Sequence, residues 1–391
     1  MVQIVSPGRL IMPSNEFQKR RILFYRTSLA GGGAERVLIG LLENIDRRKY
    51  SITLVLDRKI GAYIDKVPED INLVELNSRK SGYLGFRLLR LLAVIKRERP
   101  DVMVSFSAAT NEVLVSAKAL SGFKGLIVLR YGNNPVLNID RKGRVPWGPL
   151  IKRLKVRMLY GRASKIITVS EGISRQLVEV FQINPSKVIM VPNPVNRGFI
   201  EKMCSNETGF PIERNSATKI LVAVGRLIPQ KGYSDMIQAF RLIRDIVPSK
   251  LFILGEGPLR EAMQREASEL NLDGEIKLLG FVENPWIIIK GADLFISTSH
   301  WEGMPNALLE AMACGVAPVV TDCDYGPSEI ITHGVDGNLV PVGAIEQFAS
   351  ETAALLRNDK ERRRIAENAK RRSMDFDMDI VVKKYEKVFD G

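Results

Sequence analysis

The chain has 391 residues, 45% of them hydrophobic and 26% charged. That is long for one domain and comfortable for two, with enough apolar material for real cores, so disorder is not the expected reading. The net charge of +13 favours an anionic partner, whether nucleic acid, acidic lipid or a phosphorylated small molecule.

Residues 1–20 carry Pro7, Arg9, Pro13 and Lys19 and no long apolar core. They read as a loosely ordered extension, not a signal peptide. No apolar run approaches the roughly 18–20 residues of a membrane span. From there short, near-continuously apolar runs alternate with helical patterns: RILFYRT (21–27), SITLVLD (51–57), DVMVSFS (101–107), GLIVLRYG (125–132), KIITVSEG (165–172) and KVIMVPNPV (187–195). Continuous rather than alternating apolarity marks parallel strands covered on both faces. Residues 21–195 are therefore expected to form a doubly wound α/β domain.

Residues 196–219 are polar and turn-rich and read as a linker. The rhythm then restarts with KILVAVGRL, SKLFILGEG, EIKLLGFV, ADLFISTS, GVAPVVTD and GNLVPV. Residues 220–372 make a second doubly wound domain, and 373–391 a terminal helix expected to pack back toward the first. The expected site is the cleft between the C-terminal ends of the two sheets.

Three loops carry candidate chemistry. The stretch SHWEGMPNALLEAMACG (299–315) follows a strand and enters a helix expected to start at Pro305. Met304 before it offers no capping oxygen, so the free N–H groups of the first turn suit a phosphate, and Gly303 allows close approach. Glu302 precedes the turn and Glu310 lies inside the helix, so the two acids can touch two parts of one ligand. A carboxylate accepts from neighbouring hydroxyls, as from a ribose. The competing reading is a structural Glu310 bonded to a backbone N–H or an arginine.

In VGRLIPQKG (224–232), Arg226 and Lys231 share a strand-to-helix loop bounded by Gly225 and Gly232. They suit a pyrophosphate, although two solvated loop charges would look the same. In LAGGGAERV (29–37), Gly31, Gly32 and Gly33 let backbone approach a ligand before a helix, or simply form a tight turn. Glu35 there has a sufficient reason in the helix dipole.

The acid patterns at Asp322 and Asp324, and around Asp375, read as turn and cap residues, not metal ligands. The two histidines, His300 and His333, are too few for a histidine metal site. Cys204, Cys314 and Cys323 form no CxxC pair and read as free thiols of a reducing compartment.

Basic residues concentrate at 19–21, 78–100 and 141–162. In the second stretch Leu84, Leu88, Leu91 and Ile95 share a helical face with Arg87, Arg90 and Arg97 beside it. In the third, Lys152, Arg153 and Lys155 lie between Trp147 and Tyr160. Both suit an anionic membrane surface, and an ordinary crossover helix is the alternative for the first.

Together, GGGAERV, GRLIPQKG and EGMPNALLEAMACGVAPVVTD resemble family 4 of the retaining glycosyltransferases, over roughly residues 21–390. GGGAER with CDYGPSEII (323–331) is similar to a bacterial subgroup that extends lipid-linked glycans, often from UDP-hexose or UDP-N-acetylhexosamine. The resemblance implies a GT-B fold, two Rossmann-like domains facing a central cleft. It implies that Arg226 and Lys231 hold the donor diphosphate and stabilise the departing charge. Glu310 would hold the ribose, and Glu302 the donor sugar, beside the backbone of Gly303, Met304, Pro305 and Asn306. Gly32 and Gly33 would close over the diphosphate from the other domain, and Gly225 belongs to the same donor site.

The family needs no metal, so no cofactor is expected. The implied partners are a nucleotide sugar, a lipid-linked glycan and the inner face of the cell membrane, with no nucleic acid. Many members carry a first-domain histidine, and here LRYGNNP (129–135) stands in that region, with Arg130 and Asn133 as acceptor-side candidates. A nucleotide-sugar 2-epimerase, disfavoured by the scarcity of histidine, and an inactive nucleotide-sugar-binding subunit are the competing functions.

Overall fold

A computed structural model describes residues 19–77, 84–132, 148–205 and 217–391. Two all-parallel sheets organise it. The first has seven strands: β1 Arg20–Arg26, β2 Tyr50–Leu56, β3 Asn72–Glu75, β4 Val102–Ser105, β5 Leu126–Tyr131, β6 Lys165–Thr168 and β7 Val188–Met190, in the order β3-β2-β1-β4-β5-β6-β7. The second has six: β8 Lys219–Val224, β9 Ser249–Leu254, β10 Ile276–Gly280, β11 Leu294–Ser297, β12 Ala317–Asp322 and β13 Asn338–Pro341, in the order β10-β9-β8-β11-β12-β13. The apolar runs become central strands, with Leu23, Phe24, Leu221 and Val222 fully buried. Strand β3 escapes a search for such runs, being a four-residue edge strand with exposed ends.

The strand order reverses beside β1 and beside β8. At such switch points the flanking helices leave to opposite faces and open a crevice at the strand ends. The loop after β1 is the triple glycine, and the loop after β8 carries Arg226 and Lys231. The fold thus puts both loops where a ligand can reach them.

The chain crosses between the sheets twice, side by side. Val195 N–H donates to the Phe376 carbonyl at 2.8 Å, and Met378 N–H to the Val195 carbonyl at 3.1 Å. The helix Met378–Asp390 then packs on the first domain. Phe389 meets Phe24 edge-on at 5.9 Å, and Tyr50 Oη donates to Asp390 Oδ1 at 2.6 Å.

The basic helix Leu84–Glu98 buries the expected face, with Leu91 and Ile95 in the core and Leu88 packed against it, but it turns Arg87 inward as well. Arg87, Leu91, Val94 and Ile95 are buried, while Leu89 is exposed. Arg87 is therefore no membrane-facing cation. It pairs with Asp57 at 2.7 Å and donates to Tyr25 Oη at 3.0 Å, and Tyr25 donates to Asp57 Oδ1 at 2.7 Å. Burial, then the Asp57 charge, pushes the Tyr25 hydroxyl well above its ordinary range. Arg90 spans the Phe86 ring and donates to the Leu76 carbonyl at 2.8 Å, while Arg97 stays exposed beside Glu98. Among the described residues no helix is long and apolar enough to cross a membrane.

Candidate active site

The site is built where two helices begin. The helix Gly33–Asn44 starts after Gly32 and the helix Asn306–Ala313 after Pro305, each without a side-chain cap. Their starts touch: Asn306 Nδ2 donates to the Gly33 carbonyl at 2.8 Å. The positive ends of two helix dipoles and their uncapped N–H groups thus lie side by side across the cleft. Gly31 carries φ +105°, which a side chain resists, and a Cβ on Gly33 would sit 2.7 Å from Asn306 Nδ2. The second helix begins one residue later than its proline suggests. Pro305 is the capping residue at φ −75°, ψ 107°, a role its locked φ fits equally well.

The expected donor-side cations flank these starts differently. The Arg226 guanidinium is exposed, with no hydrogen-bond or ion-pair partner among the described residues. Lys231 Nζ pairs with Glu302 Oε1 at 2.5 Å, and Ser299 Oγ donates to the same oxygen at 2.8 Å. Gln230 Nε2 reaches Glu302 Oε2 at 3.4 Å. Glu302 is thus a buried acid held by a cation and a hydroxyl, on a small pocket with Lys231, Pro305 and Leu308 in its wall. Gly225 and Gly232 shape this loop. A Cβ on Gly225 would meet Tyr233 Oη at 3.1 Å, and one on Gly232 the Thr298 carbonyl at 2.1 Å.

Glu310 is bonded to an arginine, as the competing reading expected, and that arginine comes from the other domain. Arg36, from the first domain, donates Nη1 to Glu310 Oε1 at 2.6 Å and Nε to Tyr63 Oη at 3.1 Å. Its guanidinium carbon lies 5.2 Å from the Trp286 ring centre. Burial opposes the Arg36 charge, but the Glu310 carboxylate overrides it and holds the guanidinium pKa above its ordinary value. Both residues line the open cleft between the domains. Glu35 lies in the first turn of its helix, where its dipole role was expected, and it also pairs with Arg26.

Arg130 is corrected from acceptor-side candidate to a buried brace. It donates Nε to Tyr385 Oη at 2.9 Å and Nη2 to Asn193 Oδ1 at 2.5 Å, and lies over the Phe106 ring. Asn193 passes the contact on, donating Nδ2 to the Met304 carbonyl at 2.9 Å and to Asn306 Oδ1 at 2.7 Å. Asn193, Arg36 and Glu329 were all missed. Glu329 accepts from the N–H groups of Glu171 at 2.6 Å and Gly172 at 3.0 Å, capping a first-domain helix from the second domain. Gly303 is also closely packed across the cleft, because a Cβ there would lie 2.2 Å from the Gly132 carbonyl oxygen.

Asn133 lies outside the described residues, as do Trp147 and the side chain of Lys152. Arg153 is exposed, and Lys155 pairs with Glu112 at 2.8 Å. His300 pairs with Asp235 at 2.9 Å, and His333 Nδ1 accepts from Leu339 N–H at 3.0 Å. Asp322 and Asp324 are exposed, and among the described residues no His, Cys, Asp or Glu trio converges as a metal-holding group.

Two cations, two acids and two open helix starts around one cleft are equipped to hold a diphosphate and the hydroxyls attached to it. Sequence comparison shows the family. The model of Glycosyltransferase Family 4 matches residues 31–199, and that of Glycosyl transferases group 1 matches residues 205–372. The chain belongs to family 4 of the glycosyltransferases. Among its relatives is the N-acetylgalactosamine-N,N'-diacetylbacillosaminyl-diphospho-undecaprenol 4-alpha-N-acetylgalactosaminyltransferase of Campylobacter jejuni. It is 28% identical, with 92% of this chain and 96% of the relative covered. Another is the UDP-Gal:alpha-D-GlcNAc-diphosphoundecaprenol alpha-1,3-galactosyltransferase of Escherichia coli, 24% identical over 81% of this chain and 82% of that one.

Among solved structures, Anabaena HepE in complex with UDP and glucose superposes with a TM-score of 0.77 at 19% identity. The match covers 95% of this glycosyltransferase and 99% of HepE. WaaG, a glycosyltransferase involved in lipopolysaccharide biosynthesis, gives 0.73 at 16% identity over 95% and 100%. The architecture is GT-B, two Rossmann-like domains facing a cleft.

Proposed function

We propose that this glycosyltransferase moves a hexose or N-acetylhexosamine from a UDP-sugar to a lipid-linked or polysaccharide acceptor in bacterial surface glycan assembly, with retention. The observation that carries the reading is the contact of two uncapped helix starts at Gly33 and Asn306, with Arg226 and Lys231 on the neighbouring loop. Names of relatives that act on undecaprenol-linked glycans support the acceptor class.

The chemistry is leaving-group stabilisation. As the bond between the anomeric carbon and the diphosphate breaks, negative charge grows on the phosphate oxygens. Lys231, held by Glu302, and the helix N–H groups face that charge in fixed positions, and the exposed Arg226 reaches it from the same loop. The acceptor oxygen bonds to the anomeric carbon on the same face, and its proton passes to the departing phosphate oxygen. Glu302, held by Lys231 and Ser299, accepts from sugar hydroxyls, and Glu310 accepts from the ribose. The positive field comes from protein groups, so chelator should leave turnover unchanged; loss restored by a divalent ion would count against this.

Peripheral membrane contact belongs to the same reading. The helices Leu84–Glu98, Ala108–Ser121 and Gly148–Gly161 pack in sequence, exposing Phe86, Leu89, Leu120, Leu154 and Met158 among arginines. Apolar side chains interleaved with cations suit an anionic lipid surface.

Thermal shift with a panel of nucleoside diphosphates and nucleotide sugars tests the donor assignment. UDP compounds should stabilise the wild type selectively, and Glu310→Ala should lose the effect. No stabilisation at millimolar ligand would overturn it.

A further inference from the structure

The contact between the helix starts has a second rung. Arg36 lies one turn beyond Gly33, and Glu310 one turn beyond Asn306, so the pair that follows the Asn306–Gly33 hydrogen bond is Arg36–Glu310. Only one carboxylate oxygen is engaged: Arg36 takes Oε1, and Oε2 has no hydrogen-bond partner among the described residues. The Glu310 side chain is 8% exposed and lines the cleft cavity. The guanidinium is fixed on three sides by Glu310, Tyr63 and the Trp286 ring. Nearby, Lys66 and Glu283 also face each other across the cleft, at 3.6 Å, but both are exposed and such pairs contribute little. Arg36 is the strong cross-cleft tie on this cavity.

We infer that Arg36 is a positioning residue for donor recognition: from the opposite domain it pins one oxygen of Glu310 and leaves the other aimed for a ribose hydroxyl. This rests on the reading that Glu310 holds the ribose. It adds that ribose is recognised only when the domains close, because the group that orients Glu310 arrives with the first domain. A carboxylate with one oxygen fixed by a forked donor presents the other in one direction. Without that donor it rotates, and its hydroxyl contact becomes indiscriminate.

Calorimetric titration of the full chain with UDP and with 2′-deoxy-UDP tests this. The wild type should prefer UDP by about tenfold or more, the scale of one hydrogen bond to a charged group. Glu310→Gln should abolish the preference. Arg36→Met should also abolish it, bringing the ratio to about one, whereas a general loss of structure would weaken both ligands alike and keep the ratio. Arg36→Lys, a point charge without the fork, should restore part of it. Tyr63→Phe, a milder change that frees only Nε, should lower the ratio by less. A wild-type ratio in Arg36→Met, with Glu310→Gln having lost it, overturns the inference alone. No preference in the wild type overturns the ribose reading and this inference together.

Discussion

Arg130 and Asn193 share a 2.5 Å hydrogen bond that carries the first domain's core into the donor loop. On one side of it Arg130 is held by Tyr385 from the terminal helix. On the other, Asn193 holds the Met304 carbonyl and Asn306. Arg130→Met would leave a buried Asn193 oxygen and the Tyr385 hydroxyl short of a partner. The expected cost is about 1.5–3 kcal/mol of stability, measured by denaturant unfolding, with turnover lowered through the displaced loop. A stability within about 0.5 kcal/mol of wild type would contradict the bracing role.

Arg226 and Lys231 should separate cleanly, although both are expected to face the diphosphate. Arg226 is exposed and has no partner among the described residues, so Arg226→Ala should leave unfolding within about 0.5 kcal/mol while cutting turnover by about 10²-fold or more. Lys231→Ala strips the cation from the buried Glu302 and should lose both stability and turnover. Normal turnover in Arg226→Ala would remove it from the site.

Gly303 is a test of closure. An alanine methyl would overlap the Gly132 carbonyl, so Gly303→Ala should hold the domains apart. Small-angle scattering should report a larger radius of gyration than wild type, and turnover should fall with it. An unchanged radius would mean the contact relaxes locally.

The first domain's basic helix divides into core and surface. Arg87→Ala leaves Asp57 buried and unpaired and should cost about 3–5 kcal/mol without a specific effect on lipid binding. Leu89→Asp with Leu154→Asp should spare stability and weaken binding to vesicles of anionic lipid. Unchanged binding in that double variant would remove this face from the membrane reading.

Much of this was legible in the chain. Strands as apolar as LFY or LVAV have no stable place but the middle of a covered sheet, and the loops that follow them declare their glycines and cations. Contacts that exist only because two domains meet were not. Arg36 and Glu310 are 274 residues apart, and Asn193 and Asn306 are 113 apart, so no local period links them. Arg36 stood within the GGGAER motif with no role, because its partner is in the other domain. Arg87 misled for a different reason. On a leucine-rich helix a cation beside the apolar stripe reads as solvent-facing, and only the tertiary position of Asp57 and Tyr25 turns it inward.

The measurement that bears most directly on the central claim is transfer itself. The purified protein would be given radiolabelled UDP-hexoses and UDP-N-acetylhexosamines with undecaprenyl-diphosphate-linked saccharides, and the label followed into the organic phase. The account predicts that one such donor delivers its label to the lipid, that UDP appears in equal amount, and that both require the acceptor and Arg226. Label that stays in the water phase as an epimerised or hydrolysed sugar, with or without acceptor, would contradict it.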